Sequence, residues 1–365
     1  MTMIKGGQIL GREMMDFNLL SYDEKFLDDI SKELKLVLKS GFWSGGEYIK
    51  KIETNFSSSY GMHSVACSSG GMALELIAKT FKDLNKIGFQ SNTYFASILP
   101  WLNQGKDIVL IGSSANSLTP SLEQVVAAVD LGIEAIVLTH IGGYPIPQIK
   151  EISKFCKDNG ILLFEDCAHA PFTKIDGKLV GSFGDASIMS FFPTKPIPAG
   201  EGGMALFKNK KLAEEASRIR NYGKLNHDGK ILHKLPATSN GRLNEFSAAI
   251  VYSFLRNYQK IQSHKKEIAS HYCELIPNQY IYQNHLKERQ VISHYKFITF
   301  IKSNKYSVSP VYDESNQLFN ILKFNKINFQ FVGENPQGLN HVCLPIFPGM
   351  NSLDVKKIVQ ACKYK

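Results

Sequence analysis

The sequence predicts an α/β protein built on a mostly parallel, doubly wound sheet, with a smaller α/β unit towards its C-terminal end. Three observations carry this. Short apolar runs of strand length alternate with stretches of helical periodicity, the pattern of crossover-connected parallel strands. Polar, chemistry-bearing residues follow directly on the ends of several of those runs. Near Ala249 the character shifts to Lys-, Asn- and Tyr-rich segments.

In chain order, His63–Cys67 reads as a strand, and Ser69-Gly70-Gly71 opens a helix with Ala73, Leu76, Ile77 and Phe81 on one face. Further strands are expected over residues 107–111, 134–139, 161–164, 186–189 and 204–207. Helical patterns separate several of them, notably over 148–157 and 211–220. The 365 residues suit a large domain over 1–250, including an N-terminal segment, and a small domain over 251–365.

Composition narrows the functional class. Apolar residues make up 44%, enough for a substantial core, and 42 Lys and Arg against 33 Asp and Glu leave a net charge of +9. The basic residues are scattered and no nucleic-acid motif is visible, so the surplus suits an anionic small molecule better than DNA or RNA. Six cysteines show no C-x-x-C pair and no metal-ligand spacing, so no metal is expected, and Cys67 and Cys167, at predicted strand ends or site-flanking loops, read as buried thiols. No run of about 18 apolar residues exists to span a membrane, and MTMIKGGQILGREMMDF lacks a signal-peptide core. A cytoplasmic protein is expected.

The most informative stretch runs from Phe164 to Met204. Asp166 follows an apolar strand, so its side chain emerges at the carboxyl end of the sheet, where open α/β sheets bind ligands. His169 follows at a spacing of one helical turn, then Ser190, then Lys195 ahead of the glycine-rich Gly200–Gly203. This is the equipment for pyridoxal 5'-phosphate (PLP). A carboxylate (Asp166) keeps the pyridine nitrogen protonated, and a desolvated amine (Lys195) forms the Schiff base. The Ser190 hydroxyl is placed for the phosphate and His169 for the ring or its 3'-oxygen. Each residue alone has a structural explanation: Asp166 as a helix cap, Ser190 and His169 as packing residues, Lys195 as a solvated loop charge. It is their order that favours the cofactor.

That order resembles the signature of DegT-type nucleotide-sugar aminotransferases, a branch of the fold type I PLP-dependent transferases. Glu165-Asp166-Cys167-Ala168-His169-Ala170 matches E-D-x-A-Q/H-A; the small-residue stretch Gly177 to Asp185, Ser190-Phe191 with Lys195, and Gly200-Glu201-Gly202-Gly203 follow in register. Asn92-Thr93-Tyr94-Phe95-Ala96-Ser97, Arg220-Asn221-Tyr222-Gly223, Asn240-Gly241-Arg242-Leu243 and Leu344-Pro345-Ile346-Phe347-Pro348-Gly349-Met350 resemble further family segments. The resemblance implies phosphate binding by Ser69, Gly70 and Gly71, where the family usually has Gly-Thr at the last two, and stacking of Tyr94 on the cofactor ring. It implies that Asn240 reaches the cofactor phosphate of a neighbouring subunit, hence a homodimer with composite sites.

The implied reaction moves an amino group from an amino acid, L-glutamate by resemblance, to a keto group of a nucleoside diphosphate-linked deoxysugar, with pyridoxamine 5'-phosphate as the amine-carrying form. Lys195, Asp166 and His169 are then the catalytic residues. Alternatives are a PLP-dependent sugar dehydratase, whose members carry His in place of this lysine, and a catalytically degenerate PLP-binding regulatory or assembly protein. The second draws on Gly71 and on Ile111-Gly112-Ser113-Ser114, which stands where the family has an acidic segment. A cofactor-free binding protein of the same fold is the third alternative. Residues 283–337 match the family poorly, and Trp43 falls near a substrate-contacting position of relatives, or else is packing.

Overall fold

A computed structural model describes residues 22–113, 118–276, 290–299, 318–333 and 342–363. Ser114, the N-terminal segment and most of 283–337 lie outside the described residues. The described residues begin with two helices, α1 (Glu24–Ser40) and α2 (Glu47–Tyr60), then β1 (His63–Cys67), α3 (Gly70–Thr80), β2 (Lys86–Gln90) and the short α4 (Leu99–Leu102). There follow β3 (Asp107–Ile111), α5 (Leu122–Asp130), β4 (Ala135–Thr139), α6 (Ile149–Asp158) and β5 (Leu162–Asp166). A small hairpin of β6 (Lys174–Ile175) and β7 (Lys178–Leu179) leads to β8 (Ala186–Ser190), β9 (Gly203–Phe207) and α7 (Lys210–Ile219). An exposed hairpin, β10 (Lys224–His227) with β11 (Lys230–His233), precedes the long α8 (Glu245–Leu275). The remainder comprises β12 (Phe297–Thr299), α9 (Leu318–Phe324), β13 (Gln330–Val332), β14 (Val342–Leu344) and α10 (Ser352–Lys363).

Eight strands form one sheet in the order β1-β9-β8-β5-β4-β2-β3-β13. Only β9 runs against its neighbours; every other pairing in this sheet is parallel. The side-chain period of two explains why this sheet is buried on both faces. Val109, Ile136, Leu138, Leu163, Met204 and Leu206 point to the face covered by α1, α2, α5, α6 and the first half of α8. Ile108, Leu110, Ala135, Val137, Phe164, Ala205 and Phe207 point to the face covered by α3, α7 and α9. Helices on both faces of a mostly parallel sheet are the doubly wound architecture expected from sequence.

The helix α8 runs through position 250, where the sequence places its domain boundary. Ala248, Val251 and Phe254 of its first half pack in the large core. Ile268, Ala269 and Tyr272 of its second half pack with Phe297, Leu344, Val355 and Ile358 in a separate cluster. One segment returns in the other direction: β13 adds to the large sheet in parallel beside β3.

Candidate active site

Because β1, β8 and β5 share a direction, their carboxyl ends, together with the amino end of antiparallel β9, meet at one edge of the sheet. Register brings Cys67 opposite Gly203 and Gly203 opposite Ser190. Just beyond, Ser69 caps α3, its side chain accepting from the Met72 N–H at 3.0 Å. The first-turn N–H groups of α3 therefore face this edge, and a helix N-terminus with free donors is an anion site. Glycine is required here by contact. A Cβ on Gly70 would lie 2.8 Å from Ser190 Cβ, and one on Gly203 would lie 2.4 Å from the Ser69 carbonyl oxygen. Ser69, Gly70 and Ser190 thus line one close-walled cradle. Gly71 differs: a Cβ there meets only Ser69 Oγ, at 3.7 Å, so a side chain fits and its absence leaves the cradle open.

Asp166 ends β5, paired with Thr139 on one side and Ile188 on the other. It is buried, and its two oxygens accept from Ala168 N at 2.9 Å and Ser97 Oγ at 3.1 Å. Ser97 bonds Thr93 at 3.1 Å, which bonds Thr139 at 2.6 Å. Burial pushes the Asp166 carboxyl up; the Ala168 N–H, the Lys195 charge and Ser97 oppose it. A buried carboxylate held by two donors and one nearby cation suits a partner that carries a proton on nitrogen.

Beneath it, Glu165 accepts from Gly181 N, Phe183 N and Gly184 N at 2.7, 2.7 and 2.8 Å and pairs with His140 Nε2 at 3.0 Å. His140 Nδ1 accepts from Ile146 N at 3.1 Å. Glu165, His140 and Cys167 place their ligand atoms within 4.8 Å of one another, the spacing of a metal site. The Glu165 oxygens and both His140 ring nitrogens are already committed to the protein, which makes this pair a structural floor under Asp166.

Lys195 follows β8 on a tight loop, its backbone N–H donating to Phe192 O at 2.9 Å. Its Nζ lies 5.1 Å from the ring centroid of Tyr295. Tyr295 stacks on His169 with centroids 4.4 Å apart and pairs its hydroxyl with Thr194 Oγ1 at 3.1 Å. Burial raises the phenol pKa, but Lys195, Lys296 and the Thr194 hydrogen bond together outweigh it and bring the group below the ordinary tyrosine value. His169 accepts from Gly142 N at Nδ1, 3.3 Å away, so the neutral ring carries its proton on Nε2. Burial, reinforced by Lys195 and Lys296, holds His169 well below the usual histidine range, so it is neutral near pH 7. The expectation of a helical turn between Asp166 and His169 needs correction. The chain leaves β5 into a turn, Ala170 N bonding back to Cys167 O, because Asp166 Oδ1 takes the Ala168 N–H that a helix would leave free.

The structure therefore brings together Ser69, Gly70, Ser190, Asp166, His169 and Lys195. Tyr94 stands 59% exposed next to buried Thr93. Asn240 is exposed, its amide oxygen accepting from Arg242 N at 3.3 Å, while the neighbouring Gly241 carbonyl accepts from Ser68 N beside the cradle. Trp43 is half exposed and packs edge-on against Phe246. Sequence reasoning missed Tyr295, which lies in the stretch 283–337, where the only local signal was an aromatic among basic residues. It also missed the Glu165–His140 floor.

The family model of the DegT/DnrJ/EryC1/StrS aminotransferases matches residues 25–342. The chain belongs to this family. Among curated relatives, GDP-perosamine synthase of Vibrio cholerae is 32% identical over 254 residues, spanning 68% of this chain and 66% of that protein. A dTDP-3-amino-3,6-dideoxy-alpha-D-galactopyranose transaminase of Aneurinibacillus thermoaerophilus is 29% identical, covering 73% of each. Among solved structures, Helicobacter pylori PseC, an aminotransferase involved in pseudoaminic acid biosynthesis, superposes with a TM-score of 0.84 at 20% identity. It covers 96% of this chain and 98% of that one, so the two share a fold. The family's motifs fall on the elements just described: the E-D-x-A-H-A run on β5 and its turn, Lys195 after β8, and the glycines where β9 meets α3.

Proposed function

We propose that this chain is a PLP-dependent aminotransferase that moves an amino group from an amino acid, L-glutamate in our reading, to a keto group of a nucleoside diphosphate-linked deoxysugar. The observation that carries this is the convergence of Lys195, buried Asp166 and the glycine-walled cradle at one sheet edge. When bound, PLP supplies the electron sink that lets a C–H bond next to nitrogen break.

The protein's residues divide the remaining work. Ser69, Gly70, Gly71 and Ser190 hold the phosphate through a hydroxyl pair and α3 N–H groups. Asp166 holds a proton on the ring nitrogen, and its buried, doubly bonded setting keeps that contact dry. His169, neutral and protonated at Nε2, donates towards the ring's 3'-oxygen. Tyr94 covers a ring face. Lys195, once its amine is free, carries the proton on and off the substrate carbon. Lys195 also separates this reading from the dehydratases, which resemble it but carry His there. The product is an amino-deoxysugar for surface polysaccharide or a glycosylated natural product, made in the cytoplasm. Among the described residues no helix is long and apolar enough to cross a membrane.

Exposed Asn240, together with the apolar Phe42, Phe192, Tyr222, Ile231 and Leu235 left on the surface, supports a homodimer in which Asn240 completes the partner's phosphate site. Subunit mixing tests lysine and dimer together. Lys195→Ala and Asn240→Ala should each keep the fold by circular dichroism, and Lys195→Ala should lose transamination. Hybrids of the two should regain activity, because one of their two sites has both residues. Transamination by Lys195→Ala homodimers would refute the assignment of the lysine, and hybrids no better than their parents would refute the shared site.

A further inference from the structure

One group of cations next to the site takes no part in the functions above. The segment from Ile292 to Phe297 lies along one face of α8: Gln262 Nε2 donates to Ile292 O at 3.2 Å, and Tyr272 stacks on Phe297 with centroids 4.8 Å apart. Lys265 falls between these two anchor points, on the same helix face and opposite His294. It is buried, 6% exposed, and no carboxylate pairs with it among the described residues. His294 is also buried, and its Nδ1 has no hydrogen-bond partner among the described residues. Lys296 is half-buried and likewise without an ion pair among the described residues. Its Nζ is 5.2 Å from the centroid of the Tyr295 ring that Lys195 approaches to 5.1 Å. Lys296 is also fixed through its backbone, donating to the carbonyl of Gly142, whose own N–H orients His169.

Two neighbouring ammonium groups with no counter-charge among the described residues repel each other, and the buried one, Lys265, has lost its hydration. That cost shows in Lys265, whose pKa falls to about 8 through burial and then through Lys296, and in His294, which burial and then Lys265 and Lys266 lower to about 4. A bound oxyanion removes the repulsion and supplies the partner that His294 lacks. A cluster of perturbed cationic groups next to Lys195 is a candidate functional site.

We propose that Lys265, His294 and Lys296 form a subsite for a substrate oxyanion beside Lys195. This deepens the aminotransferase reading and rests on it for the anion's identity, because a carboxylate of the amino donor and the diphosphate of the sugar nucleotide share the required chemistry. Lys296 meets the anion at the open side, and Lys265 supports it from within.

The test is calorimetric binding of 2-oxoglutarate and of inorganic pyrophosphate to the full-length protein with its cofactor, in wild type, Lys296→Met, Lys265→Met and Lys296→Arg. We expect one of the anions to bind, with affinity falling roughly tenfold or more in both Met variants and kept in Lys296→Arg. A loss confined to 2-oxoglutarate assigns the subsite to the donor carboxylate; a loss confined to pyrophosphate assigns it to the diphosphate. Unchanged affinities in the Met variants, or no binding of either anion to wild type, overturns the proposal. Should Lys265→Met not fold, half-buried Lys296 decides alone. Binding is read here without turnover, so a protein that ignores every amino donor would defeat the aminotransferase reading and leave this result standing.

Discussion

Gly70 and Gly71 are neighbours in sequence, yet the structure asks different things of them. A side chain at Gly70 would press into Ser190, whereas one at Gly71 would make an ordinary contact. Gly70→Ala is therefore expected to weaken PLP retention and to cost about 1–3 kcal/mol of stability through overpacking against β8. Gly71→Thr, the family's usual residue, should change stability by no more than about 0.5 kcal/mol. Cofactor content after dialysis and denaturant midpoints check both; a tolerated Gly70→Ala would contradict the cradle. At this scale the sequence is partly legible. Asp166, Lys195, Ser190 and the glycines can be read because each follows a strand end and belongs to one compact stretch. Tyr295 cannot, because its partner Thr194 is 101 residues away and nothing beside it in the chain announces the contact.

At the scale of elements, the strands are legible because each is an apolar run closed by polar or glycine residues, and the expected bounds of β1 and β3 coincide with those observed. Long-range devices are not. The helix α2 has no side-chain cap of its own. Its first N–H groups are instead taken by Glu245 at the start of α8: Gly46 N at 2.9 Å, Tyr48 N at 2.8 Å and Ile49 N at 3.1 Å. A carboxylate at a helix N-terminus also suits the helix dipole. No local pattern predicts a cap supplied from 199 residues away. Glu245→Ala should destabilise the protein by about 2–3 kcal/mol, since it leaves buried donors unpaired on α2. Urea unfolding checks this, and a loss under about 0.5 kcal/mol would show that α2 and α8 do not depend on the cap. The pairing of β13 with β3 is hidden for the same reason, because three residues carry too little pattern to reveal a partner more than 200 positions earlier.

For the whole molecule, buried histidines set how stability follows pH. Burial lowers His294 to about 4 and His169 well below the ordinary value near 6.5, with nearby lysines adding to both shifts. Their folded pKa values lie below the unfolded one, so the unfolded chain takes up protons first as pH falls. The stability they contribute is complete above about pH 6.5 and is lost as pH falls through the folded values, up to about 3 kcal/mol by pH 4 for His294. Denaturant midpoints at pH 7, 5.5 and 4.5 should fall in that order; a midpoint unchanged from pH 7 to 4.5 would contradict the burial of these rings.

In the proposed function, Lys195, Asp166 and the cradle beside α3 run amine transfer on PLP. An absorbance spectrum tests it most directly, taken on the purified protein, then with L-glutamate, then with a series of nucleotide-linked keto-sugars. A visible band, absent from Lys195→Ala, should bleach with glutamate and return with one of the sugars. A protein that stays colourless with added PLP, or a band that no amino donor moves, would contradict it.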